Sequence, residues 1–152
     1  MSNTGPESRV PRATSGGGGA GLRPAGADAG EGCAREHDVG RLEDLPPGSH
    51  RVVRAGGREL GVFNIRGTVH AIPNLCPHQR GPLCTGGVSG TIDYGPHTDW
   101  KLAWIWEDEV VTCPWHALEF HIPTGRCVAF DDIRLRTYEV RVTEDGELKV
   151  VI

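Results

Sequence analysis

Two short segments of the chain each combine a cysteine with a histidine: Cys76-Pro77-His78 and Cys113-Pro114-Trp115-His116. Thiolate sulfur and imidazole nitrogen are both metal ligands, so each segment offers one ligand of each kind. A 2Fe-2S cluster can take two Cys on one iron and two His on the other, with each loop contributing to both irons. Pro77 and Pro114 restrict φ and stiffen the two loops.

The same four side chains could instead hold a structural zinc ion, because two Cys and two His are a common zinc ligand set. Zinc sites usually place Cys close to Cys and His close to His in the sequence, whereas here each loop is mixed. Neutral imidazoles in place of two anionic thiolates would lower the negative charge around one iron and raise its reduction potential. The mixed loops therefore favour the iron-sulfur cluster over zinc.

The segments His78-Gln79-Arg80-Gly81-Pro82-Leu83 and Cys113-Pro114-Trp115-His116, with Phe120 and Thr124-Gly125, resemble the small Rieske ferredoxins of ring-hydroxylating dioxygenase systems. The resemblance extends over residues 37–152. It implies the all-β Rieske iron-sulfur fold, in which a small cluster-binding subdomain sits on an antiparallel β-sandwich or barrel base. It also implies one Rieske-type 2Fe-2S cluster, with the ligands Cys76, His78, Cys113 and His116.

In that family the chain is a one-electron carrier and not a catalyst on its own. The resemblance therefore implies transient contacts with a flavin-dependent ferredoxin reductase and with a terminal oxygenase or another oxidoreductase. One alternative is a permanent Rieske subunit of a larger complex, either nitrite-reductase-like or an oxygenase. A structural zinc module and a redox sensor are further alternatives.

Four positions in the ligand loops indicate which Rieske class is present. Respiratory Rieske proteins carry a disulfide between the loops, and here Gly81 and Trp115 stand at those positions. Leu118 and Phe120 stand where that class has the hydroxyl side chains of Ser and Tyr. Because these hydrogen-bond donors are missing, we expect a potential near the low end of the Rieske range, at about -150 mV.

The two ligand loops are farther apart than in the family. His78 and Cys113 are separated by 34 residues, about twice the family spacing, which identifies Thr91–Glu109 as a segment of 19 additional residues. It contains three tryptophans and predicts an additional hairpin whose first strand lies around 101–106. This hairpin could bind a partner or shield the cluster, or it could pack on the domain to cover its own tryptophans.

Short strands joined by turns that contain Gly account for most of the remaining sequence. Runs at 51–54, 59–65 and 68–72 predict an antiparallel meander, and 135–143 with 148–152 predicts a second strand pair. The region 73–130 between them is rich in Pro, Gly, Cys, His and Trp and holds the ligand loops. No window has a helical stripe of apolar residues, so the pattern predicts an all-β domain.

The residues before this domain have a different composition. Residues 1–36 are mostly Gly, Ala, Pro, Ser and Arg, and we expect a disordered tail in which Cys33 has no role. The Rieske domain is then expected to occupy 37–152.

Ala117 replaces the usual Gly after the second ligand histidine, and the segment 130–133 lacks the proline that the family often carries in a loop covering the cluster.

Other cysteines and histidines are expected not to be ligands. Cys84 and Cys127 are interpreted as buried free thiols, although a disulfide between them is conceivable. His70, His97 and His121 have no Cys or carboxylate partner at convincing ligand spacing.

Composition excludes several classes of function. The formal net charge is -4, and no basic stripe points to nucleic acid. No apolar run is long enough for a signal peptide core or a membrane span, so we expect a cytoplasmic protein with no membrane contact. The sequence also lacks a dinucleotide-binding fingerprint and a recognisable mononuclear iron triad.

Overall fold

The computed structural model describes residues 34–152, and the fold within them is all-β, as predicted. Residues 1–33, which make up most of the predicted tail and include Cys33, lie outside the described residues. The nine strands are β1 Glu36–Arg41, β2 His50–Ala55, β3 Arg58–Ile65, β4 Thr68–Pro73, β5 Val88–Asp93, β6 Ala103–Thr112, β7 Glu119–His121, β8 Val140–Val142 and β9 Glu147–Val151. Helical structure in this part of the chain consists of the single 3-10 turns Leu42–Asp44, Leu83–Thr85 and Pro96–Thr98.

The strands form three antiparallel sheets of three strands each, in the orders β1-β9-β8, β2-β3-β4 and β5-β6-β7. The predicted meander is confirmed as β2-β3-β4, whose two turns have Gly56, Gly57 and Gly67 at positive φ. Glycine adopts that backbone conformation without a steric penalty, which explains the turn positions.

The C-terminal strand pair is confirmed as β8 and β9, but the first of these strands is shorter than predicted. Residues 135–139 belong to no strand and contain one isolated bridge, from Tyr138 to Ala71, and β8 begins only at Val140. The sequence analysis also missed β1, which pairs with β9 at the other end of the chain. The ordered domain therefore starts before His37, because Arg35 already exchanges two backbone hydrogen bonds with Ile152.

The segment 91–109 does not form an additional hairpin, and that prediction was wrong. It lengthens the hairpin of β5 and β6, in which Ser89 pairs with Val110 and Thr91 pairs with Ile105. The four residues 106–109 bulge opposite a single residue of β5, with Trp106 and Asp108 at positive φ. Residues 101–106 therefore contain the start of the second strand and not a first one.

Two groups of buried apolar side chains make up the core. One lies among β1, β2, β3 and β9 and is centred on Leu60, Val62 and Leu148. The other contains Phe63, Ile72 and Phe120 together with all four described cysteines. The second group lies directly beneath the ligand loops, so the fold places their sulfur atoms in its interior.

Within residues 34–152, no helix is long and apolar enough to cross a membrane.

Candidate metal centre

The two ligand loops have the same backbone construction although their motifs differ in length. The amide of Cys76 donates to the carbonyl of Gly81, and the carbonyl of Cys76 accepts from the amide of Arg80, at 2.9 and 2.8 Å. In the second loop Cys113 makes the equivalent bonds with Leu118 and Ala117, at 2.8 and 2.9 Å. Each cysteine therefore begins a hydrogen-bonded turn that closes on the residue five positions later, which is Gly81 in the first loop and Leu118 in the second.

A left-handed residue occurs at the same point of both turns. Arg80 and Ala117 each stand four residues after the cysteine, with φ of 61° and 55°. The left-handed backbone conformation is sterically unfavourable for residues with a Cβ atom. This explains why the family usually has glycine at the position of Ala117.

The two cysteine thiols lie together in the interior. Cys76 and Cys113 are each 1% exposed and belong to the same core group. Burial is the main cause that raises the pKa of the Cys76 thiol and the neighbouring Cys113 acts in the same direction, while the backbone amides of His78 and Gln79 act in the opposite direction. Such amide donors stabilise a thiolate or a metal-bound sulfur in an apolar surrounding.

The two histidines lie together at the surface. His78 and His116 are both exposed, and their rings meet edge to face with centroids 4.6 Å apart. The structure therefore pairs the two loops through a buried set of two sulfurs and an exposed set of two imidazoles, although no three His, Cys, Asp or Glu side chains in residues 34–152 are arranged closely enough to hold a metal ion.

Gly81 and Trp115 connect the two loops at the positions where the respiratory class has a disulfide. A Cβ on Gly81 would lie 2.9 Å from Cδ2 of the Trp115 ring, so the indole packs directly on the glycine backbone. The rest of this indole is exposed, and its ring centroid is 6.5 Å from that of His116.

Leu118 and Ile133 complete the surroundings of the buried thiols. Both side chains are partly buried and pack against the core group that contains Cys76 and Cys113. Phe130, three residues before Ile133, points outward and is half exposed. The segment 130–133 therefore covers this core through an aliphatic side chain, although the proline common in the family is absent.

Cys84 and Cys127 are free and buried, which confirms their interpretation as thiols. Cys84 packs against β3, where a Cβ on Gly61 would clash with its sulfur. Burial raises the pKa of Cys84 to about 12, so this thiol stays protonated at neutral pH.

The three histidines that we expected not to be metal ligands form hydrogen bonds to residues outside the ligand loops or lie away from those loops. His97 bonds to Asp93 at 2.6 Å. His121 bonds to Thr124 and Glu109, at 2.7 and 3.1 Å, and stacks on Trp106. Burial lowers the pKa of His70, and the carboxylate of Glu109 opposes that shift.

The sequence analysis did not find a polar cluster that fastens the bulge of β6. Glu109 accepts from Arg66 at 2.9 Å and from His121, while a second nitrogen of Arg66 donates to the carbonyl of Glu107 at 2.7 Å. Arg66 lies 43 residues before Glu109, so only the folded chain brings the members together.

Comparison with known proteins decides the family. The family model for the Rieske 2Fe-2S domain matches residues 35–139. The chain belongs to the Rieske 2Fe-2S domain family. A Rieske domain carries a 2Fe-2S cluster, and the residues brought together here suit one, because buried sulfurs and exposed imidazoles are the two donor types that it requires.

A ferredoxin component and a nitrite reductase are two of the relatives to which the chain is similar. The Rieske domain is 24% identical over 106 residues to the ferredoxin component of the naphthalene 1,2-dioxygenase/salicylate 5-hydroxylase systems of Ralstonia sp., covering 69% of this chain and 85% of that one. It is 29% identical over 109 residues to the nitrite reductase (NAD(P)H) of Emericella nidulans, covering 69% of this chain but only 9% of the enzyme.

A solved structure shows a similar domain in an assembly. The Rieske domain aligns with a TM-score of 0.57 and 26% identity to a chain in the complex of reduced oxygenase and oxidised ferredoxin of carbazole 1,9a-dioxygenase, covering 76% of this chain and 92% of that one.

Proposed function

We propose that this protein is a one-electron carrier of the ferredoxin type, which accepts an electron from a flavoprotein reductase and delivers it to a terminal oxygenase or another oxidoreductase. The observation that carries the proposal is the exposed edge contact of His78 and His116 above a buried pair of thiols. A cofactor held in this way is accessible to partners only through its imidazole side.

The ligand assignment is part of the proposal. Cys76 and Cys113 would hold the inner iron, and His78 and His116 would hold the outer iron. The cluster supplies the redox change when bound. The chain's own residues bind and orient it, exclude water from the sulfur side through Leu118 and Ile133, and leave the imidazole edges at the surface.

Two relatives support the choice of partners. The dioxygenase ferredoxin component matches this chain over most of its own length, and the ferredoxin of carbazole 1,9a-dioxygenase has been solved with its oxygenase. We extend the same type of contact to this chain. The two described cysteines outside the ligand set, Cys84 and Cys127, are buried thiols and not a disulfide, which supports a reducing compartment such as the cytoplasm.

Spectroscopy and single-turnover kinetics test this function together. The purified holoprotein should absorb in the visible, take up one electron, and show a mean g-value below 2 in electron paramagnetic resonance when reduced. It should then be reduced by a ferredoxin reductase with NAD(P)H and reoxidised by a terminal oxygenase. A colourless protein that contains zinc would refute the cluster, and a coloured protein that no reductase reduces would point to a sensor.

A permanent Rieske subunit remains the second candidate. The exposed apolar side chains of the β5-β6 hairpin favour it, because a carrier that meets its partners only at the cluster does not need them. Purification at physiological salt separates the two cases, since a permanent subunit elutes with its catalytic partner and a carrier elutes alone.

A further inference from the structure

Within residues 91–109, the hairpin of β5 and β6 turns five apolar side chains toward solvent and not toward the domain. Side chains alternate in direction from Thr91 onward. Thr91 and Asp93 point inward, and Ile92 and Tyr94 point outward. We call the exposed apolar side chains of this hairpin its outer face. Its members, with their exposed fractions, are Ile92 56%, Tyr94 56%, Trp100 61%, Leu102 73% and Trp104 58%.

These side chains form a continuous patch. Ile92 pairs directly with Trp104 across the two strands, which places both side chains on the same side of the hairpin. The rings of Tyr94 and Trp100 meet at 5.4 Å and extend the patch over the tip. The alternative that the segment packs on the domain to cover its own tryptophans therefore does not hold for Trp100 and Trp104, and only Trp106 of the three turns inward.

The hairpin is also held in position by contacts on its inner side. Thr91 donates to Glu119 of β7 at 2.6 Å, and Trp106 stacks on His121 with ring centroids 4.4 Å apart. The ion pair of Arg66 with Glu109 ties the bulge to the turn between β3 and β4. An apolar surface held in place by such contacts loses little conformational freedom when it binds.

The charge of the hairpin selects the kind of partner. Residues 91–109 contain five acidic residues and one basic residue, so they carry the whole formal net charge of -4 while the rest of the chain is neutral. Asp99, Glu107 and Asp108 are exposed, and their carboxylates have no ion pair among residues 34–152. A second copy of the chain would place acidic groups opposite acidic groups, which opposes a symmetric dimer through this face.

We propose that the outer face is a docking surface for a different protein, one that presents an apolar patch bordered by Lys or Arg. The face lies around the start of β6, whereas the second ligand loop follows the end of that strand, so a bound partner leaves His78 and His116 accessible. This surface is separate from the electron exit, and the proposal does not depend on the identity of the electron donor or acceptor.

Photo-crosslinking in living cells tests the proposal with the full chain. A photoreactive amino acid is placed at position 102, and the same amino acid at position 52 serves as the control, because Val52 is an exposed apolar residue of another sheet. We expect a crosslink from position 102, and none from position 52, to one protein, which mass spectrometry identifies and which is then purified.

Binding of that protein to the holoprotein then tests the chemistry of the contact. Trp104→Ser should weaken binding by at least about tenfold, as loss of an aromatic anchor does, and Val52→Ser should not. Asp99→Lys should weaken binding and reduce its salt dependence, whereas Glu144→Lys, at an exposed acid of another turn, should change neither.

Four results would overturn the proposal. The first two are a crosslink to another copy of this chain and one to residues 1–33 of the same chain. The third is equal crosslinking from positions 102 and 52. The fourth is binding that Trp104→Ser leaves unchanged. None of these results depends on electron transfer, so the docking surface and the carrier function fail independently.

Discussion

Gly81 and Trp115 are in direct contact across the two ligand loops, with the indole seated where a side chain of residue 81 would begin. In the respiratory class these positions hold a covalent bond between the loops. Here a ring packed on a backbone takes its place, which makes the junction sensitive to a single added methyl group.

Gly81→Ala should therefore displace Trp115 and loosen the junction. We expect a destabilisation of about 1–3 kcal/mol, as for overpacking elsewhere, and faster loss of the visible absorbance on heating. Gly87→Ala is the matched control, because a Cβ at Gly87 meets no atom within 4 Å. Equal rates of bleaching in the two variants would show that the contact does not matter.

Ala117→Gly should make the protein more stable. Ala117 adopts φ of 55°, a region in which a Cβ is unfavourable and glycine is not. Relief of this strain should add about 1 kcal/mol, seen as a higher thermal midpoint of the holoprotein. Ala129→Gly, at an exposed alanine without positive φ, should lower the midpoint slightly, and a fall in both variants would contradict the strain argument.

Substitution of two buried cysteines of the same core group should have opposite outcomes for the bound cluster. Cys113→Ser should abolish the visible spectrum and the bound iron, because the variant loses a proposed ligand. Cys127→Ser should keep both, because Cys127 is a buried free thiol outside the ligand loops. Iron analysis and absorbance of the two purified variants check this, and iron retained in Cys113→Ser would refute the ligand assignment.

The stability of the domain should fall in mild acid through His70. Burial is the main cause that lowers the pKa of His70 below the ordinary value of 6.5, with His121 acting in the same direction and Glu109 against it. Below pH 6.5 the unfolded chain therefore binds more protons at this histidine than the folded chain does. The contribution of His70 to the free energy of unfolding is fully present above pH 6.5 and is lost as the pH falls below that value.

Unfolding midpoints measured across that range check this prediction. His70→Gln should flatten the fall in stability with decreasing pH. Thr68→Gln adds the same side chain to an exposed position of β4 and should keep the wild-type slope. A slope unchanged by His70→Gln would assign the pH dependence to other groups.

The reduction potential should lie at about -150 mV, because Leu118 and Phe120 offer no hydrogen bond to the cluster. If Phe120→Tyr places a hydroxyl on a cluster sulfur, a bond of about 1 kcal/mol should raise the potential by about 40 mV. Phe63→Tyr, in the same core group, should leave it unchanged. A wild-type titration well above zero would contradict the assignment to the low-potential class.

The sequence predicted the features that depend on nearby residues. The ligand motifs, the meander of β2 to β4 and the turn between β8 and β9 follow from spacing, alternation and turn glycines within a few residues. The sequence did not predict strand pairing between segments that lie far apart in the chain. Strand β1 has little apolar alternation and exists because its backbone pairs with β9, more than 100 residues away.

The segment 91–109 shows the same limit. Its tryptophans were visible in the sequence, but the sequence could not show whether they faced the core or solvent, since a bulge changes which side of a strand each residue takes. Pairing with β5 and the contacts of Arg66 and His121 decided that outcome.

The four candidate ligands and the family were thus determined by the sequence itself, because metal ligands on a short loop must occur at short spacing. The tertiary structure decided what no local pattern contains. It placed the thiols of Cys76 and Cys113 inside and the imidazoles of His78 and His116 outside, and it turned the apolar face of the β5-β6 hairpin outward. These features depend on burial and on contacts between residues far apart in the chain, which exist only after folding.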